Sequence, residues 1–261
     1  MIIDKINSYL TGAGVDISDE LFAEVSNRAG WRFADQFGKR KERNGGLYLS
    51  SVGKCPRQQA YNVLGFETNG KEIDSRARMV FFQGDMAELA VAYLAKLAGV
   101  SIESIGDNQA TVNLDGVQGH PDGVLDAEDG TKYLVEIKSM SSYGFEKFEK
   151  GDIDDSYLGQ VNAYMEALGL DWCVMVALNK DSGVLGEKII HKDGAIVNRC
   201  RKNIKTVRQA TKETLPERPY APDEKGNLPW QCLYCAYWGH CWPNAQKVLV
   251  GRSNKLKIKG A

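Results

Sequence analysis

The sequence predicts an α/β chain, and three observations carry that expectation. Apolar residues recur with a helical period through most of the first hundred positions. The pattern then changes to strand-like runs at 110–114, 117–126 and 132–139, separated by the turn signals Asp115-Gly116 and Asp129-Gly130. After these, helix and strand alternate: a helix over 157–168, a short apolar strand over 172–178 and a helix over 195–215.

Within 1–37, Ile6, Leu10, Leu21 and Val25 sit at helical spacings, and Gly12 and Gly14 break the run. A basic loop, Lys39 to Arg43, follows. A helix is expected over 51–64 with Cys55 near its start, and a long one over 75–98. The latter contains Gly84, whose cost of about 1 kcal/mol relative to alanine asks for a packing or functional reason. In helix 195–215, Ile196, Cys200, Ile204 and Val207 form the apolar set, while Arg199, Arg201, Lys202, Lys205, Arg208 and Lys212 occupy the other faces. Residues 216–229 are proline-rich and polar, as in a linker. A cysteine cluster follows, and the tail carries Arg252, Lys255, Lys257 and Lys259. Three regions result: 1–49, helical with a basic loop; 50–215, the core; and 216–261, the linker, cysteine segment and basic tail, packed with Cys55 on the core.

Composition excludes several classes. The chain has 261 residues, enough to bury a sizeable core without disulfides. Its formal net charge of −1 excludes binding nucleic acid by bulk charge, although a local basic groove remains compatible with it. No run reaches the roughly 18 apolar residues of a membrane span, so no membrane partner is expected. The N-terminus lacks a signal-peptide layout, which reads as a cytoplasmic chain whose six cysteines are not disulfides.

The most informative stretch is Gly119-His120-Pro121-Asp122-Gly123 followed by Leu134-Val135-Glu136-Ile137-Lys138-Ser139. In a strand, Tyr133, Val135 and Ile137 share one face, and Glu136 and Lys138 share the other. The first face is expected on the core, the second to present a carboxylate beside an ammonium. The turn at Asp129-Gly130 brings Asp122 back alongside, so two carboxylates and a lysine converge. Mg²⁺ needs only one or two carboxylates plus waters and a substrate phosphate. Such a metal lowers the pKa of a bound water, and a lysine beside it can orient that water or neutralise developing charge.

These residues resemble the PD-(D/E)xK nuclease superfamily, in its RecB-like and phage-exonuclease branch. Pro121-Asp122 matches the PD element and Glu136-Ile137-Lys138 the ExK element. Gly84-Asp85-Met86-Ala87-Glu88 is similar to the helical G-x-x-x-E/H motif. Gln160-Val161-Asn162-Ala163-Tyr164 is similar to the Q-x-x-x-Y motif, with Gln160 and Tyr164 on one helix face. The resemblance spans about residues 50–245. It implies a restriction-endonuclease-like core, a mixed central sheet flanked by helices. It implies a DNA exonuclease using Mg²⁺ or Mn²⁺, with Asp122, Glu136 and the Ile137 carbonyl as metal ligands and Glu88 completing the site or binding a second metal. Lys138 would position the water or stabilise the transition state, and Gln160 and Tyr164 would line the site and contact DNA. Recombination, repair or CRISPR adaptation, in a bacterial or phage-infected cell and with partner proteins, all lie within the family's range.

The segment 230–243 holds Cys232, Cys235 and Cys241 in a Cys-x2-Cys-x5-Cys spacing. Three thiolates this close in a reducing compartment point to a soft metal or an iron–sulfur cluster. Candidates for a fourth ligand are Cys55, Cys173, Cys200 and His240; Cys173 and Cys200 read better as small core residues. The arrangement resembles the iron–sulfur nucleases, in which one cysteine precedes the core and three follow it. That resemblance implies a [4Fe-4S] cluster on Cys55, Cys232, Cys235 and Cys241, acting as a staple. Structural Zn²⁺ with Cys₄ or Cys₃His ligation is the alternative.

DNA, at ends or as single strands, is the expected partner. Phosphate contacts are sought in the basic loop, the face of helix 195–215 and the tail lysines, and base stacking at Trp31, Tyr48, Trp238 and Trp242.

Overall fold

A computed structural model describes residues 2–38, 45–69, 75–103, 110–251 and 253–260, so the basic loop Lys39–Arg43 and Arg252 lie outside the described residues. In chain order the elements are α1 (Ile2–Thr11), α2 (Asp19–Phe37), a 3-10 turn (Leu49–Ser51), α3 (Pro56–Val63) and α4 (Ser75–Leu97). Then come β1 (Ile102–Glu103), β2 (Val112–Leu114), β3 (Val117–Gly119), β4 (Gly123–Asp126), β5 (Lys132–Met140), α5 (Ser142–Glu149), α6 (Asp155–Leu168), β6 (Trp172–Asn179), β7 (Leu185–His191) and α7 (Gly194–Gln209). The cysteine segment contributes β8 (Asn227–Leu228), α8 (Trp230–Leu233), α9 (Trp238–Cys241), β9 (Ala245–Val250) and β10 (Ser253–Ile258).

The central sheet has the order β1-β4-β5-β6-β7. β5 and β6 run parallel and the other neighbours antiparallel, so the sheet is mixed. Parallel strands are covered on both faces. On one face, Val135, Ile137, Val174 and Val176 pack with Ile2, Ile3 and Ile6 of α1 and Val91, Ala92 and Ala95 of α4. On the other, Leu134, Cys173, Met175 and Ala177 pack with Phe145 and Phe148 of α5, Val161 and Tyr164 of α6, and Cys200 and Ile204 of α7. Helices therefore flank the sheet. The expectation that only one face of β5 meets the core is corrected: the Glu136 face is covered as well.

Local signals explain the element ends. Ser18 caps α2 by accepting from the Leu21 N–H at 3.2 Å, and Asp154 caps α6 by accepting from the Ser156 N–H at 2.8 Å. Gly53 and Gly159 let the segment ahead of α3 lie directly on α6, since a Cβ on Gly159 would stand 2.4 Å from the Gly53 Cα. That contact carries Ser50 and Lys54 to the same end of the sheet as Gln160.

Several expectations are revised. The strand 117–126 is two strands, broken at His120-Pro121-Asp122, where proline removes a ladder donor. Helix 195–215 ends at Gln209, because Ala210 turns extended. α5, β7 and the β9–β10 pair were not anticipated. The tail read as a basic stretch for DNA is β10, paired with β9 and β8, with Leu256 fully buried. No helix among the described residues is long and apolar enough to cross a membrane.

Candidate active site

β4 pairs with β5 only as far as Gly123↔Val135, so the last part of β5 has no strand neighbour on that side. Asp122 fills the gap: its Oδ2 accepts from the Ile137 N–H at 2.7 Å. The N–H and C=O of one strand residue point the same way, so the Ile137 carbonyl also faces the side on which Asp122 lies. Glu136 points to the α6 face and is fully buried. Its Oε1 accepts from the Lys138 ammonium and from Gln160 Nε2, the latter at 2.6 Å, while its Oε2 has no partner. Buried polar atoms are nearly always satisfied, so this orphan acceptor marks a place for a cation or water.

Above these groups lies a cleft of about 530 Å³, bordered by Lys54, Glu88, Ile137, Lys138, Tyr157 and Gln160. Gly84 borders it too. A Cβ there would meet only Ser139 Oγ, at 3.6 Å, so no close packing demands the glycine. Its missing side chain instead leaves the cleft open on that side.

Burial, then the charge of Glu136, pushes the Asp122 carboxyl up to about 7. Burial, then Asp122, pushes Glu88 up to about 7 as well. Burial alone would depress the Lys138 ammonium, but Glu136 and Asp122 outweigh it and hold the group above the usual lysine range. Four crowded carboxyls, Asp85, Glu88, Asp122 and Glu136, stand against two cations, Lys138 and Arg32, and a divalent cation would relieve that excess of negative charge. Between about pH 4 and pH 7 the folded chain keeps protons on Asp122 and Glu88 that the unfolded chain releases, so stability falls as pH rises. Chelator-treated protein should show a decreasing melting temperature across that window, with a shallower decrease in Asp122→Asn; an unchanged slope in the variant would contradict the assignment.

Tyr164 is not at the cleft. It is buried in the core against Gly119, where a Cβ would stand 2.5 Å from its ring, and burial followed by Glu136 drives its phenol upward. Its expected role in lining the site and touching DNA is corrected to one of support beneath Gln160.

Several residues at the site had no signal in the sequence. Arg32, on α2, donates to Glu88 Oε1 at 2.8 Å and lies 3.5 Å from Asp85, while Gln36 Nε2 donates to Asp85 at 2.9 Å. The N-terminal region thus clamps the Glu88 turn of α4. Lys54 and Tyr157 border the cleft, with the Lys138 ammonium 5.4 Å from the Tyr157 ring centre.

The basic face of α7 is partly spent on ion pairs: Arg199 with Asp155, and Arg201 with Asp115 and Glu166. Of the stacking candidates, Trp31 and Tyr48 are exposed, whereas Trp238 and Trp242 border the cysteine cavity.

Cys55, Cys232, Cys235 and Cys241 all border one small apolar cavity, and none is in a disulfide. Burial, then the neighbouring thiols, pushes Cys232 up to about 11, and burial raises Cys235 to about 11. Ionising these thiols together therefore requires a compensating cation. His240 turns away from the cavity, with Nε2 2.7 Å from the Glu67 carbonyl and its ring against Tyr61 and Phe66. Cys173 and Cys200 are buried in the core. Among the described residues, no three His, Cys, Asp or Glu side chains are gathered as ligands of a single ion.

Neither protein-family models nor curated proteins match the chain. Among solved structures it is similar to the crystal structure of SSO0001, with a TM-score of 0.45 and 17% identity over 81% of this chain and 93% of that one. It is also similar to an alkaline exonuclease, LHK-Exo, from Laribacter hongkongensis, with a TM-score of 0.46 and 19% identity over 63% of this chain and 87% of that one. For LHK-Exo in complex with dAMP the TM-score is 0.42 and the identity 19%, over 70% and 88% of the two chains. At this level of likeness, function has to be read from the chain's own side chains.

Proposed function

We propose that the chain is a metal-dependent DNA exonuclease that hydrolyses phosphodiester bonds and carries a structural [4Fe-4S] cluster. The observation supporting this most directly is the convergence of Asp122, Glu136 and Lys138 below one cleft, with a buried Glu136 oxygen left unpaired. Asp122, Glu136 and the Ile137 carbonyl would hold Mg²⁺ or Mn²⁺, and Glu88 would complete the site or hold a second ion. The metal would supply a water of lowered pKa and neutralise charge on the phosphate oxygens.

The protein's own groups do the rest. Lys138 stays protonated, so it can orient the attacking water or carry charge at the phosphoryl oxygens. Gln160 fixes the Glu136 carboxylate through Oε1 and leaves Oε2 for the metal side. Arg32 holds Glu88 at the rim.

A [4Fe-4S] cluster takes one thiolate per iron, and its preference over zinc rests on the resemblance to the iron–sulfur nucleases. Cys55 precedes α3 and the other three cysteines lie in the C-terminal segment, so the cluster would tie the two together, and its binding energy would become folding energy. Exonuclease action and a role in recombination or repair follow from the motif resemblance.

Linear and covalently closed circular DNA, incubated with Mg²⁺ or Mn²⁺, test the reading. Degradation of the linear form alone is expected. Cutting of closed circles would make the enzyme an endonuclease, and no cutting of either would refute the proposal.

A further inference from the structure

A second cavity, about 440 Å³, adjoins the cleft and shares Ser139, Ser156 and Tyr157 with it. Its walls come from α5 on one side and from Trp230, the first residue of α8, on the other. Tyr143 of α5 is 71% exposed and Trp230 is 55% exposed, and both border this cavity. Two large rings left in water at the rim of one groove gain free energy when a flat apolar partner covers them.

The wall carries one lysine and two acids, so it is the rings rather than the charge of this wall that favour such a partner. The Lys147 ammonium lies 5.5 Å from the Tyr143 ring centre, as Lys138 lies beside Tyr157. Lys147 is paired with Asp152 at 3.0 Å, and Asp154 accepts from the Ser156 N–H at 2.8 Å. Tyr157, Tyr143 and Trp230 thus line one continuous passage, with Lys138 at its inner end. In a duplex the bases are paired and stacked on one another, so only an unpaired strand offers its base faces to such rings.

We infer that this groove is a subsite for the single-stranded part of the substrate, with Tyr143 and Trp230 stacking on bases beyond the nucleotide at Lys138. The inference rests on the cleft being the reacting site. It also gives the cysteine segment a part in binding, because Trp230 stands two residues before Cys232 on α8.

The test uses the full-length, anaerobically purified protein carrying Asp122→Asn, so that DNA survives, and a labelled oligo(dT) of about 12 nucleotides, within the span such grooves cover. Tyr143→Ala and Trp230→Ala should each weaken binding roughly tenfold, and Trp230→Phe should retain most of it. Quenching of tryptophan fluorescence by the oligonucleotide should diminish in Trp230→Phe. Unchanged affinity in the Tyr143→Ala/Trp230→Ala double variant, or no binding by the parent, would overturn the subsite. The nuclease reading fails separately. If protein with Asp122 intact cuts nothing while the ring substitutions still cost tenfold, the groove stands and the nuclease falls. Intact cutting with unchanged affinity removes the groove alone.

Discussion

Asp122→Asn should lower the cleavage rate roughly a thousandfold while the chain stays folded. Asparagine keeps an oxygen that can accept from the Ile137 N–H, so the end of β5 remains capped. What it removes is the negative charge that would hold the metal and the like-charge crowding with Glu136 and Glu88. Its fold should therefore be as stable as the parent's, or more so in the absence of metal. Lys138→Ala should abolish cleavage too, but at a different cost. It leaves Glu136 buried without its ammonium, and breaking such a pair costs about 3–5 kcal/mol. Urea unfolding of both variants, alongside rates on linear DNA, separates the effects. An active Asp122→Asn protein, or a Lys138→Ala protein as stable as the parent, would contradict the arrangement.

Cys232→Ser should strip the iron and unsettle the C-terminal segment. Cys232 is buried with Leu228, Ala245 and Leu256 beneath the small sheet of β8, β10 and β9. Serine is nearly isosteric, so packing alone would change little, and the expected losses come from the cluster. In anaerobically purified wild-type protein we expect a broad absorption near 400 nm and about four irons per chain, both missing from the variant. The melting temperature should fall by several degrees, as the loss of a folding-coupled metal site implies. His240→Ala should leave the iron content unchanged, since its ring faces Glu67. Zinc in place of iron would refute the cluster and keep the nuclease core in play.

Much of the site was legible because its chemistry is local in sequence. Glu136 and Lys138 are two apart on one strand, and Asp122 is a turn away, so strand period alone brings them together. The cysteine spacing spoke equally directly, and Cys55 does border the same cavity as the other three. Tyr164 misled for a physical reason. Residues i and i+4 share a helix face, but they differ in depth by about one 5.4 Å turn. Gln160 sits at the cleft end of α6 and Tyr164 a turn deeper, in the core.

Arg32, half-buried on Glu88, and the exposed Tyr143 and Trp230 were silent because no apolar period marks their positions. β7 and β10 were silent because they mix lysines with apolar residues, as edge and hairpin strands do. The small sheet becomes recognisable only when β8 and β9 flank β10 and Leu256 is seen to be buried.

Metal held by the carboxylates below this cleft is proposed to drive the hydrolysis of DNA. The most direct test is nucleotide release from end-labelled linear DNA by anaerobically purified protein, with Mg²⁺ or Mn²⁺ added and with a chelator in parallel. Progressive, metal-dependent release from the end is expected. Release that continues in chelator, or none with either metal, would contradict it.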